Sequence, residues 1–327
     1  MLNSNMSNSS KTNIGIVGVG HLGSFHVEQY QKLDNVNIIG FYDTDSAQSN
    51  QVKNKYNINA FDSLKKLLAA CNAVSIATPT TTHCKIAKQA MEMGCHVLIE
   101  KPITQNIKEA KELVSIAKKK KLIIQVGHIE RFNPAFYSLI NKKFNPRFIE
   151  SHRLAPFNLR GTDVDVILDL MIHDIDIVLS LVQSNVKEIR ASGISVLSNS
   201  IDTANARVAF DNGCVANMTA SRIAQKKIRK FRFFEDSSYT TIDFLNPSIE
   251  KYILANKRPK DDQSYVVMNN IKEKYILYEK CEIVHHNALK KELENFIESI
   301  LHVKQPIIDG YSGLEALKLA IKIQDSI

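Results

Sequence analysis

A glycine-rich turn between an apolar strand and a helix constrains the fold of this chain more than any other feature. The segment Gly18–Gly23 has the sequence GVGHLG; it follows the apolar run Ile14–Val17 and precedes a helical segment. Its first glycine permits a tight turn, its second lets the backbone approach a pyrophosphate, and its third allows close packing of helix on strand. The N–H groups at the start of the helix favour an anion. This turn predicts a dinucleotide site formed by Gly18, Gly20, His21, Leu22 and Gly23.

An acidic residue at the end of the second apolar run specifies the dinucleotide. Asp43 lies 20 residues after Gly23, and the three residues that follow it are Thr44, Asp45 and Ser46, none of them an arginine. A carboxylate at this position accepts hydrogen bonds from the adenosine ribose and repels a 2′-phosphate. The sequence therefore predicts NAD rather than NADP as cofactor.

The first 130 residues alternate short apolar runs with amphipathic segments, which is typical of a parallel sheet with crossover helices. We predict a doubly wound Rossmann domain over residues 13–127, preceded by a disordered tail at 1–12. The predicted strands are Ile14–Val17, Val36–Tyr42, Ala73–Ala77, His96–Ile99 and Leu122–Val126. The predicted helices are Leu22–Lys32, Ser46–Tyr56, Ser63–Ala69, Thr82–Met93 and Ile107–Lys120, with Asp62 and Asn106 as N-caps.

The alternation of apolar runs with amphipathic segments ends in the second part of the chain. One apolar helix, Val164–Val182, is followed by strand-like stretches with no helix between them, which favours a mostly antiparallel sheet in an α+β domain over residues 128–327. The predicted strands are Val186–Val196, Asn205–Phe210, Cys214–Ser221, Lys230–Phe234 and Tyr239–Phe244. Two helices, Asn287–Leu301 and Gly313–Ile327, close the chain.

Composition excludes several classes of protein. No run of 18 or more apolar residues is present, so we expect no membrane span. The five cysteines are scattered and never spaced CxxC, which fits reduced thiols in a cytoplasmic protein rather than a disulfide framework or a zinc site. The net charge is +8, but the densest run, Lys118 to Lys121, lies at a predicted helix C-terminus and has no interleaved aromatic residues. We therefore expect no nucleic-acid partner.

Two further motifs connect the chain to a known family. The fourth strand runs into Glu100-Lys101-Pro102, and the long helix carries Asp169 and His173 in a DxxxH pattern. Together with the glycine turn, these segments resemble the Gfo/Idh/MocA family of sugar and cyclitol dehydrogenases from about residue 13 to the C-terminus. Within that family, residues 127–134 and 151–161 are similar to those of UDP-N-acetylglucosamine 3-dehydrogenases, which oxidise the C3 hydroxyl of a nucleotide sugar. The resemblance also implies that Thr78, Pro79, Glu100 and Lys101 contact the cofactor.

The residues themselves agree with a dehydrogenase. Asp165, Asp169, His173, Asp176 and Ser180 form one polar stripe at helical spacing on an apolar helix, as a polar cleft would require, although a solvent-facing stripe is the alternative. Lys101 follows a strand at the sheet edge where ligands bind, and it can stabilise an alkoxide-like oxygen. We assign His173 as general base, and Asp169 as the group that orients it or binds a neighbouring hydroxyl. We expect no metal, because a neighbouring lysine is unfavourable for a zinc ion.

Substrate recognition is the least determined part of the sequence. We predict contacts from His128 and Asp176, and a diphosphate clamp among Arg131, Arg153 and Arg160, whose guanidinium groups suit phosphate but which each also fit a surface ion pair. The predicted substrate is a UDP-N-acetylhexosamine. The alternatives are a free sugar or inositol, or a catalytically silent NAD-binding regulator. By analogy with similar folds, we expect a homo-oligomer.

Overall fold

A computed structural model describes residues 11–158, 164–257, 265–271 and 274–327, except the side chains of 268–271 and 280. The predicted tail at 1–12 lies almost entirely outside the described residues; Thr12 already belongs to a strand. The contacts divide the chain into two compact units. The first runs to His128 and includes Leu289–Leu314, and the second consists of Ile129–Ala288 and Glu315–Ile327. None of the helices in the described segments combines the length and apolar composition that crossing a bilayer requires.

The first unit contains the predicted parallel sheet, with strand order β2-β1-β3-β4-β5. Its strands are apolar and buried because helices cover both faces of such a sheet; all four residues of β3, for example, are inaccessible. The bounds are β1 Thr12–Val17, α1 His21–Tyr30, β2 Val36–Tyr42, α2 Ser46–Tyr56, α3 Leu64–Ala70, β3 Ala73–Ile76, α4 Thr80–Glu92, β4 His96–Glu100, α5 Ile107–Lys120 and β5 Ile124–Gly127. The strand order reverses beside β1, and the carboxyl ends of β1 and β3 therefore flank a crevice in which α/β proteins bind ligands.

The second unit contains a nine-stranded sheet of order β13-β14-β12-β11-β10-β6-β9-β8-β7. Its pairs are antiparallel except for β6 with β9, which agrees with the predicted α+β class. The bounds are α6 Pro134–Tyr137, β6 Phe148–Leu154, α7 Ile172–Leu181, β7 Val186–Ile194, β8 Thr203–Phe210, β9 Val215–Ser221, β10 Ile228–Phe234, β11 Ser238–Asp243, β12 Ser248–Ala255, β13 Tyr265–Ile271 and β14 Lys274–Lys280. After this sheet the chain forms two more helices, α8 Ala288–Leu301 and α9 Gly310–Gln324.

Helix α8 belongs to the first unit, although it lies near the C-terminus. The predicted domain over residues 128–327 had included this helix in the second domain. Leu293, Phe296 and Ile297 are fully buried in the same apolar cluster as the β1 residues Ile14 and Ile16. The Gln125 side chain of β5 also donates to the Glu292 carbonyl oxygen at 3.0 Å. The first unit is thus completed by chain that lies more than 150 residues beyond its last strand.

The helix predicted over Val164–Val182 differs from the structure in its first half. Ile167–Met171 forms a π-helical segment, and the α-helix α7 begins only at Ile172. Asp165 precedes the π segment, and its Oδ1 accepts from the backbone N–H groups of Ile167 and Leu168 at 3.0 Å. A side chain that satisfies free N–H groups at a helix start is a cap, and Asp165 therefore leaves the predicted polar stripe.

Candidate functional site

The glycine turn forms one wall of a cleft at the carboxyl edge of the parallel sheet. Gly18 has a φ of +81°, and a Cβ there would lie 2.7 Å from Thr78 Cγ2. A Cβ on Gly23 would collide with the Gly18 carbonyl oxygen, whereas a Cβ on Gly20 would meet nothing within 4 Å. The space in front of Gly20 is what a closely approaching pyrophosphate requires. Helix α1 begins directly after Gly20 without a side-chain cap or an acid in its first turn, so its N–H groups remain available to phosphate.

The cleft also contains the acid that was predicted to specify the cofactor ribose. Asp43 lines the same cleft as Gly18, Gly20, Thr78 and Pro79. Its Oδ2 accepts from the Val19 N–H at 2.7 Å and its Oδ1 from the Asp45 N–H at 2.9 Å. Each carboxylate oxygen can accept a second hydrogen bond, so ribose hydroxyls can still bind. The residues of this cleft therefore fit NAD, and His21 and Leu22 lie in the first turn of α1 beside it.

A buried histidine joins the Thr78 segment to the loop after β4. His83 is 1% exposed; its Nε2 lies 2.8 Å from the Thr78 carbonyl oxygen and its Nδ1 2.9 Å from the Pro102 carbonyl oxygen. Burial lowers the pKa of His83. The sequence predicted no functional position here, because a histidine at a helix start resembles an ordinary cap or packing residue.

The glutamate of the Glu100-Lys101-Pro102 segment points into the protein. Its Oε1 accepts from His26 Nε2 at 3.0 Å, and its Oε2 accepts from the Lys101 N–H at 3.3 Å. Burial opposes ionisation, but the hydrogen bond from His26 and the nearby charge of Lys101 outweigh it and hold the pKa of Glu100 below its usual range. The Glu100 carboxylate is therefore held by His26 and by the Lys101 backbone, and its predicted contact with the cofactor stays a prediction. Lys101 itself is half-buried, and its peptide bond to Pro102 is cis.

In the second unit, the two residues predicted to carry the proton chemistry lie at the junction of the π segment and α7. Asp169 is in the π segment and His173 in the first turn of α7, and both are half-buried. Short π segments occur frequently at functional sites. Two other members of the predicted stripe form hydrogen bonds within the protein. The Ser180 hydroxyl donates to the Ile177 carbonyl oxygen at 2.7 Å, and Asp176 accepts from Arg131 Nε at 2.9 Å.

Arg131 and Arg153 lie in buried ion pairs, not in surface ones. Arg153 is 3% exposed and donates through Nε and Nη2 to both oxygens of Asp174, at 3.1 and 2.9 Å, and through Nη1 to Glu130 at 2.6 Å. Burial disfavours its charge, but the carboxylates raise the pKa of Arg153 above its ordinary value. Because breaking a buried pair leaves an uncompensated charge, Arg153 is held by the fold and is poorly placed to bind a diphosphate.

The other candidates for substrate binding are His128, Arg160 and a further arginine. His128 is buried at the end of β5, with 1% exposure. Arg160 lies outside the described residues, so its predicted role has no structural counterpart. Arg229, which the sequence did not single out, donates to Glu130 at 3.2 Å from a side chain that is 43% exposed. Within the described segments, no group of three or more acidic, histidine or cysteine side chains is arranged to hold a metal ion.

Comparison with family models identifies both units. Residues 12–128 match the model described as "Oxidoreductase family, NAD-binding Rossmann fold" of the Gfo/Idh/MocA proteins. Residues 149–236 match the model of a Gfo/Idh/MocA C-terminal domain. The first match covers the segment that carries the cleft, and the second covers part of the sheet of the second unit.

Individual relatives extend the similarity over nearly the whole chain. A UDP-N-acetylglucosamine 3-dehydrogenase from Acidithiobacillus ferrooxidans is 35% identical over 314 residues, which are 96% of each chain. A crystal structure of that enzyme matches with a TM-score of 0.87 and covers 97% of this chain and 98% of the other. A scyllo-inositol 2-dehydrogenase (NAD(+)) from Bacillus subtilis is 25% identical over 95% of this chain and 92% of its own.

Proposed function

Because the chain belongs to the Gfo/Idh/MocA family of NAD-binding oxidoreductases, we propose that it oxidises the C3 hydroxyl of a UDP-N-acetylhexosamine. The observation that supports this substrate is the 35% sequence identity, over 96% of both chains, to a UDP-N-acetylglucosamine 3-dehydrogenase. NAD is the cofactor, and it accepts the hydride from the sugar carbon when bound.

We assign the proton chemistry to the junction of the π segment and α7. In this proposal His173 takes the proton of the C3 hydroxyl as general base, the side-chain type that most often fills this role. Asp169 orients the imidazole or binds a neighbouring hydroxyl. Lys101 donates a hydrogen bond to the reacting oxygen and stabilises the negative charge that develops as the hydride leaves.

The diphosphate clamp needs a new assignment, since Arg131 and Arg153 are held by buried carboxylates. We retain Arg160 as a candidate and add Arg229, whose guanidinium is partly exposed and has one acidic partner in Glu130. Asp176, which pairs with Arg131, supports the substrate side indirectly, and His128 remains a candidate contact.

A second function that an observation favours is oxidation of a free inositol. The inositol dehydrogenase of Bacillus subtilis shares the full length of the fold at 25% identity. Such a substrate carries no diphosphate and would gain nothing from Arg160 or Arg229.

Rates of NADH formation with matched substrates test the proposal. We expect UDP-N-acetylglucosamine to be oxidised with NAD, and N-acetylglucosamine to react poorly, because the diphosphate supplies binding energy that holds the alcohol in place. Arg229→Ala should lower kcat/KM for the nucleotide sugar and leave the free sugar unchanged. Lys142→Ala, which changes an exposed cation elsewhere in the second unit, is the matched control. Equal or higher kcat/KM with free sugars or inositols would refute the nucleotide-sugar assignment.

We also propose that copies of the chain associate through the outer face of the nine-stranded sheet. Five aromatic rings, one each from β6, β10, β11, β12 and β14, form a continuous ladder across this face, with centroid separations of 5.9, 4.7, 5.6 and 5.2 Å. These rings are Phe148, Phe234, Tyr239, Tyr252 and Tyr278. The neighbouring Leu254 and Val266 are 41% and 57% exposed. Contiguous apolar surface of this kind is typical of an interface.

The proposed location is the cytoplasm. All five cysteines are free thiols, and a reducing compartment keeps them so.

A further inference from the structure

Two fully buried histidines contact the residues that flank Lys101. We infer that His26 and His83 are positioning residues that fix the Lys101 backbone from its two sides. Neither is assigned a part in the reaction above. The inference rests on the role proposed for Lys101 in stabilising the reacting oxygen.

His26 holds the N-terminal side of Lys101 through Glu100. Its ring is 1% exposed, and its Nδ1 lies 2.7 Å from Ser75 Oγ while its Nε2 donates to Glu100 Oε1. A neutral ring protonated on Nε2 satisfies both contacts, since the Ser75 hydroxyl then donates to Nδ1. The other Glu100 oxygen accepts from the Lys101 N–H. A chain of three hydrogen bonds therefore runs from β3 to the Lys101 backbone.

The Glu100 carboxylate has little freedom to leave this arrangement. A Cβ on Gly127 of the adjacent strand would lie 3.0 Å from Glu100 Oε2, so the glycine leaves only enough space for the carboxylate. His26 also lies on α1, whose N-terminus follows the glycine turn proposed to hold the cofactor pyrophosphate. The same helix thus starts at the cofactor cleft and contacts Glu100 from its middle.

His83 holds the C-terminal side of Lys101. Its two ring nitrogens face the carbonyl oxygens of Pro102 and Thr78, which only accept hydrogen bonds. A neutral ring donates to one of these carbonyls at a time, and an imidazolium donates to both. Since Thr78 lines the cofactor cleft, His83 ties the wall of that cleft to the residue after Lys101.

Such fixation matters because hydride transfer depends on precise placement. A displacement of about 1 Å at a reacting group costs on the order of a hundredfold in rate. An ammonium group at the end of a lysine stem can be placed accurately only if the backbone from which it extends is itself fixed.

Hydrogen exchange of the cofactor-free full-length chain tests the inference without reference to activity. In His26→Leu the Glu100 carboxylate loses its buried donor, and we expect faster amide exchange in residues 99–104 but not in 149–154 of the second unit. In His26→Gln the amide N–H replaces the Nε2–H, and exchange should remain near that of the unmodified protein. His83→Leu should act on the same segment. His152→Leu, at an exposed histidine of β6, is the matched control.

Kinetics then show whether the same positioning serves the reaction. We expect kcat to fall about tenfold to a hundredfold in His26→Leu and His83→Leu, with recovery of most of that loss in each glutamine variant. The Kd for NAD should rise in His83→Leu, because Thr78 lines the cleft, and should change little in His26→Leu.

Two results overturn the inference. One is unchanged exchange in residues 99–104 together with normal kcat in both leucine variants. The other is an equal loss in the leucine and glutamine variants that follows their loss of thermal stability, since that pattern indicates packing alone. A normal kcat in Lys101→Ala would instead refute the role proposed for Lys101, and the exchange data would still decide whether the histidines hold the segment.

Discussion

At the scale of single residues, Asp43 has two tasks in the cofactor cleft. Its carboxylate holds the glycine turn through the Val19 N–H and its own loop through the Asp45 N–H. We propose that it also accepts hydrogen bonds from the adenosine ribose. His26, His83 and Glu100 likewise act within the fold. Side chains placed by buried hydrogen bonds before a ligand arrives lower the cost of binding.

Replacement of Asp43 separates these two tasks. We expect Asp43→Ala to weaken NAD binding about tenfold, as loss of a charge-assisted hydrogen bond implies, and to narrow the preference over NADP. Asp43→Asn is the matched variant: it keeps an acceptor for the Val19 N–H but no longer repels a 2′-phosphate. Calorimetric titration with both cofactors measures the difference. Tighter binding of NADP than of NAD to the unmodified protein would contradict this interpretation of the second strand.

Replacement of His173 tests the proposed proton chemistry separately from cofactor binding. His173→Ala should lower kcat about 10²–10⁴-fold, the usual contribution of a general base, because no other group is then assigned to take the hydroxyl proton. The Kd for NAD should stay nearly unchanged. His152→Ala, which alters an exposed histidine in the same unit, serves as control. Normal turnover in His173→Ala would remove this residue from the mechanism.

At the scale of elements, the sequence predicted those parts whose signals are local. The five parallel strands are apolar runs, and Asn106 is the N-cap of α5, as the sequence pattern predicted. The N-cap of α3 is Ser63 rather than Asp62, because both residue types cap helices and only the fold selects between them.

Other elements depend on contacts that no local pattern records. The π segment has no compositional signal, and strand β6 was not predicted, since residues 148–154 mix apolar and charged residues. The pairing of Arg153 with Asp174 joins a strand to a helix, so it follows from tertiary packing alone. The cofactor cleft could therefore be predicted from the sequence, whereas the buried ion pairs that Arg131 and Arg153 form with carboxylates could not.

The glycine turn offers a matched pair of substitutions. Gly23→Ala should destabilise the protein and abolish NAD binding, because its Cβ would collide with the Gly18 carbonyl oxygen. Gly20→Ala should fold with nearly unchanged thermal stability, since its Cβ meets open space, yet bind NAD more weakly because that space is where the pyrophosphate lies. Thermal unfolding and NAD titration of both variants measure the effect. Equal NAD affinity in Gly20→Ala and the unmodified protein would contradict the placement of the pyrophosphate.

At the scale of the whole molecule, the chain combines two units of different design. One is a parallel sheet completed by α8 from near the C-terminus, and the other is a nine-stranded sheet whose inner face packs on α7 and whose outer face carries the aromatic ladder. The first unit holds the NAD-binding fold together with Lys101 and His128, and the second holds Asp169, His173 and Arg229, which we assign to the sugar side.

Association through the ladder is tested by light scattering after size exclusion. We expect the unmodified protein to have a multiple of the chain mass, and Tyr252→Glu to have the mass of a single chain, because a charge in the middle of an apolar interface costs several kcal/mol to bury. Val284→Glu, at an exposed apolar residue away from the ladder, is the control. A single-chain mass for the unmodified protein, or an unchanged assembly in Tyr252→Glu, would refute the interface.

The fate of the hydrogen on the sugar C3 tests the proposed reaction most directly. UDP-N-acetylglucosamine deuterated only at C3 is incubated with NAD and the enzyme, and the reduced cofactor is analysed by mass spectrometry. We predict that the NADH formed carries the deuterium, because hydride transfer takes the atom bonded to the oxidised carbon. NADH formed without deuterium would show that another carbon is oxidised, and no NADH at all would show that this nucleotide sugar is not the substrate.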